Sequence, residues 1–351
     1  MIFRTKLNAT RFALSFFILL TTPRFIPAQT VHLVSPSAQD SAQDREVHAD
    51  MDFLAADELH GRGSATRDEH LAALFCAQQM EALGLEPGGQ PIDGHPSYIQ
   101  KSALPDTLNP RIVQMLGKFQ DTPRTETWNA VAVLRGSDPK LAGEVVLLTA
   151  HLDHLGMLKP GSGPDLIYNG ADDDASGTTA VLTLMNAIAH GPTPKRTLVF
   201  ALFGSEELGG FGNAAFLKNP PVPLPSIVAN LEFEMIGRPD PLVPEGTLWL
   251  TGFDRSNLGP ELAKHGARLV NDPHPDQKFF QRSDNYALAK QGIIAHTVSS
   301  FGLHPDYHQP SDELTKIDFA HMDQAIESMQ SPILWLANTD WRPTWNPNGK
   351  P

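Results

Sequence analysis

The sequence predicts an α/β fold: a three-layer α/β/α sandwich with a mixed, mostly parallel central sheet and helices on both faces. Three observations predict it. From residue 129 onward, short apolar runs alternate with segments of helical period. Several of those runs are apolar at every position, as in strands buried on both faces. Amphipathic patterns at 68–85 and 319–338 supply helices to cover such a sheet.

Each element has a local reason. In "DEHLAALFCAQQMEALGL" (68–85), Ala72, Phe75, Cys76, Gln79 and Leu83 fall near one face, and Gly84 is a natural stop. Residues 86–127 are rich in Pro and Gly with short strand-like pieces, too little chain for an inserted domain. "NAVAVL" (129–134) and "EVVLLTA" (144–150) read as strands, and "GTTAVLTLMNAIAH" (177–190) as a helix. "RTLVFALF" (196–203) is a strand, "NAAFLK" (213–218) a helix and "SIVANLEFEM" (226–235) a strand. "TLWLTGF" (247–253) is a strand, and "LGPELAKHG" (258–266) a short helix. "SDNYALAKQ" (283–291) is a helix, "GIIAHTVSS" (292–300) a strand, and 319–338 a long closing helix. With no repeat and no linker inside 48–340, that region is expected to be one domain. Residues 341–351 are expected to be loosely held.

The N-terminus has a different character. Arg4, Lys6 and Arg11 precede the apolar run "FALSFFILL" (12–20), and "PAQT" (27–30) offers a small residue for cleavage. That is the layout of a secretory signal peptide over about residues 1–28. The run is too short for a comfortable membrane span, and no cysteine follows it for lipid attachment. Residues 29–47 are polar, without period, and expected to be flexible. The expected location is periplasmic or extracellular, without stable membrane association after cleavage. The single cysteine, Cys76, has no internal disulfide partner and reads as a buried thiol on a helical face. A net charge of −13 disfavours nucleic acid and anionic membrane as partners. Oligomeric state is not readable.

The chemistry lies in where acids and histidines fall. His151 and Asp153 directly follow one strand, and Glu206 and Glu207 follow another. Glu232 and Glu234 close a third, and His304 and His308 come soon after a fourth. In open α/β sheets, ligands bind at the carboxyl ends of strands. Each motif alone is more often surface decoration; their coincidence at one edge is what carries information. "NGADDDASG" adds three adjacent aspartates, Asp172, Asp173 and Asp174, in a loop at that edge. Buried unpaired carboxylates cost several kcal/mol each, and a divalent cation removes that cost. Imidazole with carboxylate oxygen is a donor set suited to zinc.

Together, "TAHLDHLG", "NGADDDASG", "FALFGSEELGGFGN", "ANLEFEMIGR", "RSDNYALAKQGI" and "LHPDYHQPSDELTKID" resemble the M28 family of zinc aminopeptidases, in order, over about 48–340. "FLAADELHGRG" (53–63) is similar to that family's N-terminal lead-in. The resemblance implies a zinc-exopeptidase fold, two Zn2+ per chain and peptide substrates with a free N-terminus. It implies His151 and Glu234 as ligands of one zinc, Glu207 and His308 of the other, and Asp173 as the bridge. Glu234 is a departure, since many relatives carry aspartate there; Glu232 is the fallback. The resemblance also implies Glu206 as general base and Asp153 as the carboxylate that orients His151, with Asp312 doing the same for His308. A cis peptide is expected between Asp173 and Asp174. Of the flanking pair Asp172 and Asp174, one is expected to cap the next helix and the other to shape the turn. Some relatives have an oxyanion-stabilising tyrosine where this chain has Phe280, so Arg282 or Tyr307 would supply the donor, or the metal alone would serve. Asn285 replaces a histidine common in bacterial relatives and would tune the pocket. His154 and His304 either line the pocket or are simply solvated.

Two other functions share the architecture. One is a glutaminyl cyclase or other amide hydrolase, separable by zinc stoichiometry. The other is a receptor-like binding module, disfavoured because every ligand position holds a competent residue.

Overall fold

The computed structural model describes residues 41–351. The expected signal peptide, and residues 29–40 of the segment expected to be flexible, lie outside the described residues. The first helix, α1, spans Ala42–Leu54, so it begins before His48, inside that segment. The cause is a capping box: the Ser41 hydroxyl accepts from the Asp44 N–H, and the Asp44 carboxylate accepts from the Ser41 N–H. Its first turn is polar, so apolar periodicity gave no sign of it.

The next helix, α2 (Arg67–Ala82), is capped by the Thr66 side chain. It buries Ala72, Ala73, Cys76, Ala77 and Met80, a face turned by about one residue from the expected one. The small side chains on this face let the helix lie close on the sheet. Cys76 is buried and free. Strands β1 (Glu86–Pro87) and β2 (Ile99–Ala103) and a short helix α3 (Pro110–Leu116) follow. Then come β3 (Glu126–Leu134), β4 (Val145–His151), and a small ribbon of β5 (Gly156–Met157) with β6 (Ile167–Tyr168). Helix α4 is Gly177–Ala189, β7 Thr197–Phe203, α5 Phe211–Lys218 and β8 Ile227–Phe233. The chain continues through β9 (Leu248–Leu250), α6 (Leu258–Lys264), β10 (Leu269–Asn271) and α7 (Asn285–Lys290). It closes with β11 (Ala295–Ser299) and α8 (Phe319–Asn338).

The main sheet has nine strands in the order β1-β3-β7-β4-β8-β11-β9-β10, with β2 also paired to β3. Its centre is parallel: β4 with β7, β4 with β8, and β11 with β8. Outside that centre β3 is antiparallel to β7 and β9 to β11, and the edge strand β10 is parallel to β9. The α/β/α expectation holds, and the layers explain the fully apolar strands. Val146, Leu148 and Ala150 of β4 face a core with Met51, Cys76, Leu182, Met185 and Ile333, from α1, α2, α4 and α8. Val145 and Leu147 face the opposite core with Phe203, Phe216 and Leu288, the last two from α5 and α7. Successive side chains point to opposite faces, so a strand covered on both sides must be apolar at every position.

The C-terminal residues are tied down, contrary to expectation. The Trp345 indole N–H donates to the Gly292 carbonyl, the Asn346 N–H to the Arg255 carbonyl, and the Arg255 guanidinium to the Gly349 carbonyl. Trp345 also packs against Phe280 and His296. One aromatic side chain with a partnered N–H anchors a segment whose Pro and Asn content alone reads as loose.

His296, buried on β11, illustrates how the margin of the sheet is fastened. Its Nδ1 lies 2.7 Å from the Thr251 carbonyl and its Nε2 2.7 Å from the Ser256 hydroxyl. A neutral ring satisfies both, donating to the first and accepting from the second. Burial pushes its pKa down from 6.5 to about 4, against the opposing pull of the Thr251 carbonyl. Between those values the unfolded chain binds the extra proton and the folded chain does not. Stability that is present above about pH 6.5 is therefore lost as pH falls toward 4. Urea titrations should show wild type losing roughly 3 kcal/mol more than His296→Gln over that window. Equal pH slopes in the two proteins would show that His296 protonates freely in the fold.

Candidate metal centre

Because β4, β7, β8 and β11 are parallel, their carboxyl ends meet at one edge of the sheet. His151 is the last residue of β4. Its Nδ1 donates to the Asp153 carbonyl at 3.2 Å, which leaves Nε2 facing Asp173 Oδ1 at 3.2 Å. Glu206 and Glu207 follow β7, Glu234 follows β8, and His308 lies in the loop after β11. Three residues at these bends hold the left-handed backbone region without being glycine: Ser205 (φ 53°), Met235 (φ 53°) and His308 (φ 55°). Each such bend costs of order 1–3 kcal/mol and persists only where its surroundings fix it.

The donor atoms fall into two groups. Those of His151, Asp173 and Glu234 lie within 4.8 Å of one another, and so do those of His154, Asp173 and Glu207. His308 Nε2 is 3.1 Å from Asp173 Oδ2 and 3.1 Å from Glu207 Oε1. Asp173 is common to both groups. These short approaches are not hydrogen bonds. Among the described residues, Asp173 Oδ2, Glu207 Oε1 and both ring nitrogens of His154 are buried without a hydrogen-bond partner. Nitrogen and oxygen donor atoms converging at about 3 Å without directed hydrogen bonds between them form an arrangement a cation satisfies and an apolar core does not. All-N/O donors of this kind suit zinc.

The electrostatics agree. Burial works to raise the Asp173 carboxyl, but His154, His151 and His308 outweigh it and hold it well below the usual carboxylate range. Burial and Asp173 work to raise Glu207, and His308 and His154 bring it down to about 2. Burial works to lower His308, while Glu207 and Asp173 lift it to about 10. Glu234 is pushed up to about 8 by burial and by Glu232, which outweigh the opposing pull of His151. Positive charge is what this cluster requires, from protons or from a metal.

The three adjacent aspartates divide cleanly. Asp173 alone reaches both donor groups. Asp174 accepts from the His151 N–H, from the Met235 N–H and from the Gly177 N–H at the start of α4, so it caps that helix. Asp172 accepts from the Gly237 N–H and the Ser176 hydroxyl, and its Oδ2 lies 2.9 Å from His304 Nε2. His304 is thereby committed to the turn. The Asp173–Asp174 peptide is cis, as expected. Gly170 begins this loop with φ 59°, and a Cβ there would sit 2.2 Å from the Asp173 carbonyl oxygen.

Two orienting contacts differ from expectation. His151 is held by the Asp153 backbone carbonyl; the Asp153 carboxylate is 3.7 Å away at Oδ1. That carboxylate instead accepts from the Ser64 hydroxyl and from the Glu206 and Glu207 N–H groups. Asp312, expected beside His308, accepts from the Asp172 and Asp173 N–H groups. In both cases backbone donors, invisible in a sequence, claimed the side chain. The fallback ligand Glu232 is fully engaged by Ser283, Asp284, Asn285 and Thr297, which leaves Glu234 for the cluster.

The other candidates disperse. Phe280 is packed in the core under the Arg255 guanidinium, 4.4 Å from its ring centroid, and Asn285 is fixed by Glu232 and the Phe280 carbonyl. Tyr307 stacks on His308 at 3.9 Å, and Arg282 lies over Phe279. Both border a pocket that also includes Glu234, Met235 and Trp249. Sequence reasoning missed the N-terminal support. Arg62, 1% exposed, donates to the carbonyls of Leu54, Leu152, Asn169 and Gly170, tying the His151 loop to the aspartate loop. Glu69, fully buried, accepts from the Ala65 and Trp128 N–H groups and the Thr127 and Ser205 hydroxyls, just before Glu206. A charged residue on the inward side of an otherwise small, apolar helix face was the available signal for Glu69.

The sequence profile of peptidase family M28 matches residues 129–331. A vacuolar membrane protease of Lachancea thermotolerans is 39% identical over 107 residues, 30% of this chain and 10% of that protein. Leucine aminopeptidase 1 of Trichophyton rubrum is 25% identical over 205 residues, 55% of this chain and 53% of that protein. The chain thus spans about half, or less, of the length of these curated relatives. A zinc aminopeptidase from Bacillus subtilis superposes with a TM-score of 0.60 at 15% identity, covering 85% of this chain and 95% of its own. At that identity the likeness is one of fold.

Asp153→Asn tests the loop geometry. The new amide group must point its NH2 at one of three N–H or O–H donors, so the variant should lose about 1–3 kcal/mol in urea unfolding. Unchanged stability would mean that Asp153 does not hold the Glu206–Glu207 loop.

Proposed function

The chain belongs to peptidase family M28, and on that premise we propose that it is an exported di-zinc aminopeptidase that removes N-terminal residues from peptides. The observation that carries the reading is one carboxylate, Asp173, shared by two converging donor groups. His151, Asp173 and Glu234 would hold one ion, and Asp173, Glu207 and His308 the other. Bound there, the ions would supply Lewis acidity toward the scissile carbonyl and the attacking water.

This chain's residues do the rest. Glu206 is held by its backbone N–H on Asp153 Oδ1 at 2.9 Å, and among the described residues its carboxylate takes no hydrogen bond. Burial holds that carboxyl well above the usual range, against the pull of His151. A raised carboxyl that is free to turn suits a group that accepts a proton from water and passes it to the leaving amine. The pocket beside Glu234 would receive the N-terminal side chain of the peptide. Burial pushes the Tyr307 phenol up, so it stays protonated as a donor at that pocket.

Glu206→Gln should abolish hydrolysis of aminoacyl-amide substrates while metal content is unchanged. Chelation of the wild type should abolish activity, and zinc should restore it. Turnover by metal-free protein, or full activity in the glutamine variant, would overturn the mechanism. Export rests on Arg4, Lys6, Arg11 and the apolar run 12–20; among the described residues no helix is long and apolar enough to cross a membrane. The full-length protein expressed in a Gram-negative host should be recovered from the periplasm with a new N-terminus near residue 28. A cytoplasmic protein beginning at Met1 would refute export.

A further inference from the structure

The second donor group has one imidazole more than it needs. His308 Nε2 approaches Asp173 Oδ2 and Glu207 Oε1 at 3.1 Å each. His154 Nδ1 approaches the same two oxygens, at 3.9 Å and 2.9 Å. His154 is 0% exposed, and among the described residues neither of its ring nitrogens has a hydrogen-bond partner, although one lies 2.9 Å from a carboxylate oxygen. A histidine buried only for packing finds a donor or acceptor for at least one nitrogen, as His296 does at both. At His154 the contact is close but not directed along a hydrogen bond, as expected when both atoms aim at a common third.

The ring is also built into place. The His154 N–H donates to the Arg62 carbonyl, and the Ser64 N–H to the His154 carbonyl. Gly170 lies against the ring, where even a Cβ would come within 2.7 Å of it. Holding an imidazole rigidly at two carboxylates, with its nitrogens otherwise unsatisfied, is how a ligand is pre-organised.

We propose that His154 Nδ1 is a metal donor at the position shared with Asp173, Glu207 and His308. The inference rests on the di-zinc reading above. It makes the two positions unequal. One offers two imidazoles and two carboxylates, the other one imidazole with Asp173 and Glu234. Imidazole favours zinc over hard oxygen-seeking cations, so the His154 position fills first and is the more selective. The His151–Glu234 position, with fewer protein donors, lies beside the pocket lined by Glu234.

The experiment is zinc titration of metal-free wild type, His154→Ala and His154→Gln against a competing chelator. Metal per chain and the zinc-dependent rise in Tm are read on each protein. Wild type should bind two ions with unequal affinity, and both variants should lose about ten-fold or more at the tighter position, with a smaller zinc-dependent Tm rise. If His154 only packs, the variants lower the Tm of metal-free protein but keep both affinities and the full zinc-dependent rise, which overturns the proposal alone. Wild type that binds no zinc overturns the di-zinc reading with it. Should the alanine variant fail to fold, His154→Gln, which keeps most of the side-chain volume, decides between these outcomes.

Discussion

Five acidic residues, Asp153, Asp173, Glu206, Glu207 and Glu234, crowd one buried edge of the sheet, and everything around them answers to that repulsion. Like charges in a low-dielectric setting are tolerated only when paired, protonated or bound to a cation. Here the pairing is uneven. Asp173 and Glu207, each facing two or more imidazoles, are held ionised, and Glu206 and Glu234, where burial outweighs the pull of His151, are pushed toward the protonated form. That split separates Asp173 and Glu207, which stay charged beside their imidazoles, from Glu206 and Glu234, which take up a proton unless a cation lies beside them.

The parallel centre of the sheet makes such crowding achievable. Parallel strands end together, so four loops far apart in sequence deliver their polar residues to one place. The cores on the two faces supply the burial energy that offsets the cost, and backbone N–H groups and hydroxyls supply the compensation at the site. Asp174 and Asp312 are satisfied by main-chain donors, and Asp153, Glu232 and Asp172 by main-chain donors together with side chains. Those five acids act as struts, and the loops they brace carry the metal-competent ones.

The N-terminal lead-in serves as a second brace. Arg62 gathers carbonyls from three separate segments, and Glu69 fixes the hydroxyl of Ser205 next to Glu206. Both brace the loops on which the donors stand. Arg62 being 1% exposed is sustainable because all its bonds go to carbonyls that would otherwise be buried unpaired.

The sequence by itself determined the layered fold, nearly every central strand and helix, and the polar residues of the sheet edge, because apolar periodicity and strand-end position are local properties. It failed where the signal was not apolar. Helix α1 starts on a polar capping box, and the three-residue strand β10 and the short helix α3 lie in stretches too brief to show a period. The C-terminal segment is anchored by one indole. Only the tertiary structure decided which atoms meet: that Asp153 orients His151 through its carbonyl and not its carboxylate, that Asp312 serves the aspartate loop and not His308, and that His154 stands at the same two oxygens as His308. The reason is that direction is not written in residue type. A carboxylate or an imidazole takes whichever partner the folded backbone places within 3 Å, and that placement belongs to the packing of the whole chain.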